Sequence, residues 1–118
     1  MARLREVVRR FTTPVEQLDR ERLERFCAGF GTTPIDEVEP RRFVRIAGEV
    51  SSVKMVPRAG SPTFEVTIGD GRGRVDAVFH GRRRIGGITP GRRMLLAGVA
   101  SRDGKILTLM NPEYELLP

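Results

Sequence analysis

Gly81-Arg82-Arg83-Arg84-Ile85-Gly86-Gly87-Ile88-Thr89-Pro90-Gly91 is the stretch on which the fold turns. Four glycines, a proline and three consecutive arginines follow neither the period of two of a strand nor the 3.6 of a helix. The stretch reads as a linker of about ten residues with at most one helical turn. Both flanks read as strands. Before it, Val75, Ala77 and Phe79 alternate with Asp76, Val78 and His80. After it, Met94 to Val99 is nearly all apolar, as in a strand covered on both sides.

Working outward, Val44, Ile46, Gly48, Val50 and Ser52 alternate with Arg45, Ala47, Glu49 and Ser51, which predicts a half-buried first strand. Pro57 to Pro62 predicts a loop, and Phe64, Val66 and Ile68 a second strand. Gly69-Asp70-Gly71-Arg72-Gly73 is a turn whose glycines can supply positive φ. Downstream, Arg102-Asp103-Gly104-Lys105 is a hairpin turn. Ile106 to Met110 and Tyr114 to Leu117 form a last strand, interrupted at Asn111-Pro112 because proline cannot donate to a ladder. Strand count alone admits an SH3-like barrel. The long link between the third and fourth strands favours a five-stranded Greek-key barrel of the OB type, a mainly β fold.

One or two α-helices precede it. Leu4, Val7, Val8 and Phe11 have helical spacing over residues 2–11. Thr13-Pro14-Val15-Glu16 is a capping box with proline at the first helical position, predicting a helix to about Ala28 that stops at Gly29. Its apolar side is Val15, Leu18, Leu23, Phe26 and Cys27. Ile35-Asp36-Glu37-Val38 is ambiguous. The expected organisation is a helical extension over residues 1–40 and an OB barrel over 41–118.

The charge divides along the same line. The 118 residues hold 21 Lys+Arg and 15 Asp+Glu, a net charge of +6. Residues 1–40 carry seven Arg and eight acids, net −1; residues 41–118 carry fourteen Lys+Arg and seven acids, net +7. The excess points to a polyanionic partner for the second part. No apolar run is long enough for a transmembrane helix, and the first ten residues lack the apolar core of a secretory signal. Cys27 is the only cysteine, which excludes an internal disulfide and a multi-cysteine metal site. A reducing, cytoplasmic location is expected.

Enzyme constellations are missing. His80 is the only histidine, with no nearby Cys or second His; no Ser lies in a G-x-S-x-G context, and there is no P-loop. Cys27 reads as a small buried hydrophobe. No catalytic residue, metal or cofactor is expected.

Several strings resemble one family. Arg45-Ile46-Ala47-Gly48-Glu49-Val50 resembles the first strand of OB-fold nucleic-acid-binding domains, and Gly69 to Gly73 resembles the turn after their second strand. Asn111-Pro112-Glu113-Tyr114-Glu115-Leu116 resembles the end of the OB wedge domain of the branched-DNA helicase family. The whole chain is similar to a family of small actinobacterial OB-fold proteins described as nucleic-acid binders, whose Gly-Arg-Arg, Ile, Gly-Ile, Pro-Gly pattern is matched by Gly81 to Gly91. It departs from them at His80, where they have an apolar residue, and at Phe79, where they often have Trp. The resemblance implies an OB fold and nucleic-acid binding without catalysis.

The candidate contacts are mostly arginines, which hold phosphates bidentately. Gly81-Arg82-Arg83-Arg84 and Gly91-Arg92-Arg93 flank the linker; Arg72 and Arg74 lie at the second turn, Arg45 on the first strand and Arg58 in the first loop. Ligands of this fold cross strands two and three between the first and last hairpin loops. Arg45, Arg58, Arg74 and Lys105 belong near that path, and the Arg82–Arg84 cluster is a competing surface. The competing reading of the arginines is a solvated surface with local pairs to Asp70, Asp76 and Asp103. Stacking groups are scarce: there is no Trp, Phe64 and Phe79 alternate with core positions, and His80 and Tyr114 remain. The expected function is non-specific binding of single-stranded or branched DNA, ahead of RNA. The alternative is a protein-interaction barrel that uses the helical extension, residues 1–30 above all, for docking or homo-oligomer assembly. No membrane partner is expected.

Overall fold

The computed structural model describes residues 14–118. Helix α1 spans Pro14–Ala28 and is followed by a single 3-10 turn at Ile35–Glu37. Six strands complete the chain: β1 (Phe43–Arg58), β2 (Ser61–Gly69), β3 (Arg74–His80), β4 (Arg93–Asp103), β5 (Ile106–Met110) and β6 (Glu113–Leu116). The helix expected over residues 2–11 and the Thr13 cap lie outside the described residues.

β1 is the longest element, at 16 residues, because it serves two partners. Phe43 to Glu49 pairs antiparallel with β4, and Glu49 to Arg58 pairs antiparallel with β2. The change of partner falls at Gly48 and at a register shift between Val50 and Ser52. A Cβ on Gly48 would lie 2.4 Å from Ile68 Cγ2 and 2.9 Å from the Gly69 carbonyl oxygen, so only glycine lets the crossing strands approach this closely. The bulge then turns Val53 toward the core and leaves Ser52 and Lys54 exposed.

The expected loop at Pro57 to Pro62 is a tight hairpin. Arg58 pairs with Ser61 across Ala59 and Gly60, both at positive φ (45° and 81°), as a two-residue hairpin turn requires. The Arg102–Lys105 turn is a hairpin as expected, with Asp103 opposite Ile106. The linker after β3 holds turns but no helix: Ile88 N donates to Ile85 O and Arg92 N to Thr89 O. Ile85 and Ile88 are both buried and pin it to the core.

The expectation of a five-stranded Greek-key barrel is corrected. The strands form one six-stranded mixed sheet in the order β1-β2-β3-β5-β4-β6, with β1 also pairing to β4. β1 and β6, the ends of that order, do not pair with each other among the described residues, so the six strands do not close into a barrel. The cause lies in the break read at Asn111-Pro112. Asn111 takes φ 47° and Pro112 has no N–H, so the last strand divides in two. β5 runs parallel to β3 and antiparallel to β4, which makes the sheet mixed; β6 pairs only with β4, at Met94 to Ala97.

The core lies on one side of this sheet. Ile46, Val50, Val66, Ile68, Val75, Ala77, Met94, Leu96 and Leu109 are almost completely buried there, with Phe64 and Phe79. Helix α1 lies outside the sheet and packs by its C-terminal half. Cys27 is buried and Phe26 half-buried, whereas Val15 and Leu18 are exposed (69% and 49%), so the predicted apolar stripe is used at one end only. Among the described residues no helix is long and apolar enough to cross a membrane.

Candidate nucleic-acid interface

The outer face of β3 presents Arg74, Asp76, Val78 and His80, alternating with buried Val75, Ala77 and Phe79. Register extends this face sideways. One row runs Ser52, Thr67, Asp76, Thr108, Ser101 across β1, β2, β3, β5 and β4. The neighbouring row runs Lys54, Glu65, Val78, Met110. The face is therefore polar and aliphatic at its centre, with Ile106 and Met110 about half exposed and no aromatic ring.

Its two ends are cationic. At one end Arg74 and Lys105 line a depression with Thr67, Asp76 and Ile106. At the other end stand His80 and the β1–β2 hairpin carrying Arg58. Gly81 N donates to Pro62 O at 2.8 Å, which ties the start of the Arg82-Arg83-Arg84 segment to that hairpin. All three arginines are exposed. Arg74 and His80 are six residues apart on one strand, roughly 20 Å at about 3.3 Å per residue. The start of the Arg82–Arg84 set thus lies beside the His80 end of this face, and Arg45 lies apart.

Other candidates are engaged elsewhere. Arg72 reaches Asp36 at 3.1 Å and Glu37 at 3.2 Å. Desolvation is the largest single influence and opposes its charge, but the charge and hydrogen bond of Asp36, with Glu37 and Asp70, together outweigh it and hold its pKa above the usual arginine value. Arg93 pairs with Glu49 at 3.3 Å, its guanidinium carbon 4.3 Å from the Phe26 ring centroid under α1. Arg92 is half-buried, and among the described residues its Nε has no hydrogen-bond partner. Arg58 pairs with Glu65 at 3.4 Å. Arg45 sits in a separate groove with Leu95, Ala97, Glu113 and Glu115. Tyr114, 40% exposed, is packed edge-on against Phe79, whose ring is buried. Among the described residues no salt bridge involves Arg74, Arg82, Arg83, Arg84 or Lys105.

The carboxylates expected as arginine partners do other work. Asp70 is buried: its Oδ1 accepts from Arg72 N and Gly73 N, both at 2.9 Å, and its Oδ2 from Ile35 N at 2.8 Å. It locks the β2–β3 turn to the 3-10 turn. Asp76 Oδ1 accepts from Thr67 Oγ1 at 3.0 Å. The Asp-Gly-x-Gly pattern of the turn was the available sign of the first; the Thr67–Asp76 bond needs the register between strands. Among the described residues no cluster of His, Cys, Asp or Glu could hold a metal ion.

Residues 44–117 match the family described as OB-fold nucleic acid binding domain, under the heading tRNA_anti-codon. The chain belongs to this OB-fold family. It is a family of binding domains, not of enzymes. Solved structures agree on the fold. The OB-fold domain is similar to the second OB-fold domain of replication protein A from Methanococcus maripaludis (14% identity, TM-score 0.58, 72% of this chain and 93% of that one). It is similar to the OB domain of Ta0387 from Thermoplasma acidophilum (14% identity, TM-score 0.55, 72% and 85%). It is also similar to part of RecG bound to a three-way DNA junction (13% identity, TM-score 0.59), spanning 73% of this chain but 12% of that protein. At these identities the likeness concerns the fold alone. No curated protein matches the OB-fold domain.

Proposed function

We propose that the outer face of β2, β3 and β5 binds single-stranded or branched DNA, without catalysis and mainly through charge. In this reading Arg74 and Lys105 hold the backbone at one end, and Arg58, His80 and Arg82 to Arg84 hold it at the other. Residues 41–118 carry the binding face, and helix α1 and the 3-10 turn brace the β2–β3 turn. The observation that carries the reading is the distribution of partners. Arg72 and Arg93, beside α1, are used internally, whereas the exposed cations flanking this face have no ion pair among the described residues, Arg58 excepted.

The central stretch of the face lacks aromatic rings, so bases gain little from stacking there. Affinity should therefore depend steeply on salt. With four phosphate contacts, the slope of log K against log salt should be about −3 on a single strand. Fluorescence anisotropy with a labelled oligonucleotide of about 20 residues at low salt tests the proposal. Saturable binding supports it, and no binding at tens of micromolar protein overturns it.

A second reading has its own observation. Phe43 and Val99 are cross-strand partners, and both side chains are exposed (62% and 57%). They adjoin the Arg45 groove with its two glutamates. A protein-contact surface there stands beside the expected use of the helical extension, for which α1 offers its exposed Val15 and Leu18 while its C-terminal half is packed on its own sheet. Light scattering of the wild type and of Phe43→Ser tests whether self-association uses it.

A further inference from the structure

Asp76 is out of place on a face meant for a polyanion. It stands mid-row across the outer face, between Thr67 on β2 and Thr108 on β5, and beside the Arg74–Lys105 end. A carboxylate there repels phosphate, so a strand held at both cationic ends must turn its bases toward this point. From this, and resting on the reading of the face given above, we infer that Asp76 makes the interface selective for guanine at one central position.

The chemistry follows from what the carboxylate can accept. Thr67 Oγ1 donates to Asp76 Oδ1 at 3.0 Å, which orients the group. A carboxylate has about four lone-pair sites on two oxygens, so Oδ2 and the second site of Oδ1 stay available. Guanine offers two adjacent donors on its Watson–Crick edge, the ring N1–H and the exocyclic N2 amino group. They match a carboxylate as a pair of parallel hydrogen bonds, and both are charge-assisted. Adenine and cytosine each set an amino donor beside a bare ring nitrogen, which faces the carboxylate with a lone pair. Thymine and uracil set one N–H between two carbonyl oxygens, which face it likewise. Only guanine presents Asp76 with two adjacent donors on that edge and no facing lone pair. Ile106 lines the same depression as Asp76 and is 56% exposed, an aliphatic surface for the flat side of the base. Unstacked bases read at their Watson–Crick edges are the usual basis of single-strand selectivity.

Anisotropy titrations of the full chain against three oligonucleotides of about a dozen residues test this: thymine only, alternating thymine–guanine, and alternating thymine–cytosine. The thymine–guanine strand should bind about tenfold tighter than the other two, the scale of one bidentate base contact. Asp76→Asn should shrink that ratio to about twofold or less while leaving thymine-only binding as strong or stronger. Equal binding of all three strands by the wild type overturns the guanine preference and leaves the face standing, as does a preference that survives in Asp76→Asn. Absence of binding to any strand overturns the reading of the face, and this inference with it.

Discussion

The Arg93 guanidinium lies 4.3 Å from the ring centroid of Phe26, and its Nε donates to Glu49 at 3.3 Å. One arginine on β4 thereby holds helix α1 by a ring and strand β1 by a carboxylate. Arg93→Ala should lower stability by about 1–2 kcal/mol, the combined scale of a partly desolvated cation–π contact and a half-exposed ion pair. Urea unfolding measures this. Phe26→Leu should lose part of the same increment, and the double variant should lose less than the sum. Because Arg93 is committed to α1, its removal should leave oligonucleotide affinity nearly unchanged.

Gly71 sits where α1 crosses the β2–β3 turn. It has φ 87°, and a Cβ there would lie 2.8 Å from the Arg20 carbonyl oxygen and 2.8 Å from Glu24 Cγ. Gly60 has φ 81°, but a Cβ there would meet no atom of the other described residues within 4 Å, its two chain neighbours aside. Gly60→Ala should therefore cost only the left-handed strain, about 1–2 kcal/mol. Gly71→Ala should cost more and should loosen the helix, read as faster amide exchange across residues 20–28.

Asp70 accepts three backbone N–H groups from within a buried position. Asp70→Ala leaves the donors of Ile35, Arg72 and Gly73 without this acceptor. A loss of about 2–4 kcal/mol in chemical unfolding is expected, larger than for either arginine at the turn. An unfolding midpoint close to wild type would show that the turn holds without its carboxylate.

Burial pushes the Cys27 thiol up to about 11; Asp70 and Glu49 act in the same direction, and Arg93 opposes them. The folded state thus holds the thiol neutral above its ordinary pKa. This contribution is complete below the unfolded-state value of 9.0 and is lost as pH rises from there through about 11. Stability relative to Cys27→Ala should fall across that window and stay level below it. Alkylation at pH 8 should be slow in the native protein and fast in denaturant.

Strand positions were legible wherever one face alternates, as in β3, because period two survives any tertiary context. The Asn111-Pro112 break was equally plain, yet its consequence was not. That β5 adds to β3 in parallel while β6 goes on alone along β4 depends on which edges are free, and no single strand encodes that. The long β1 was read short because Ser51, Ser52 and Lys54 look like a strand end, when they mark the bulge at which the strand exchanges β4 for β2. The arginines were visible as a set but not as two kinds. Arg72 and Arg93 differ from Arg74 only in what the fold brings beside them: Asp36 and Glu37 from the 3-10 turn, and Phe26 from the helix. Pairing at a sequence distance of 35 residues or more is a tertiary property.

The central claim is that the cations around the outer face of β3 bind a nucleic-acid strand while the engaged arginines do not. The most direct test is the salt dependence of oligonucleotide binding in two variants, Arg74→Ala/Lys105→Ala and Arg72→Ala. Between about 50 and 200 mM salt, the double variant should weaken binding and flatten the log K against log salt slope by about 1.4, the share of two phosphate contacts on a single strand. Arg72→Ala should leave the slope unchanged. An unchanged slope in the double variant, or an equal flattening by Arg72→Ala, would contradict the account.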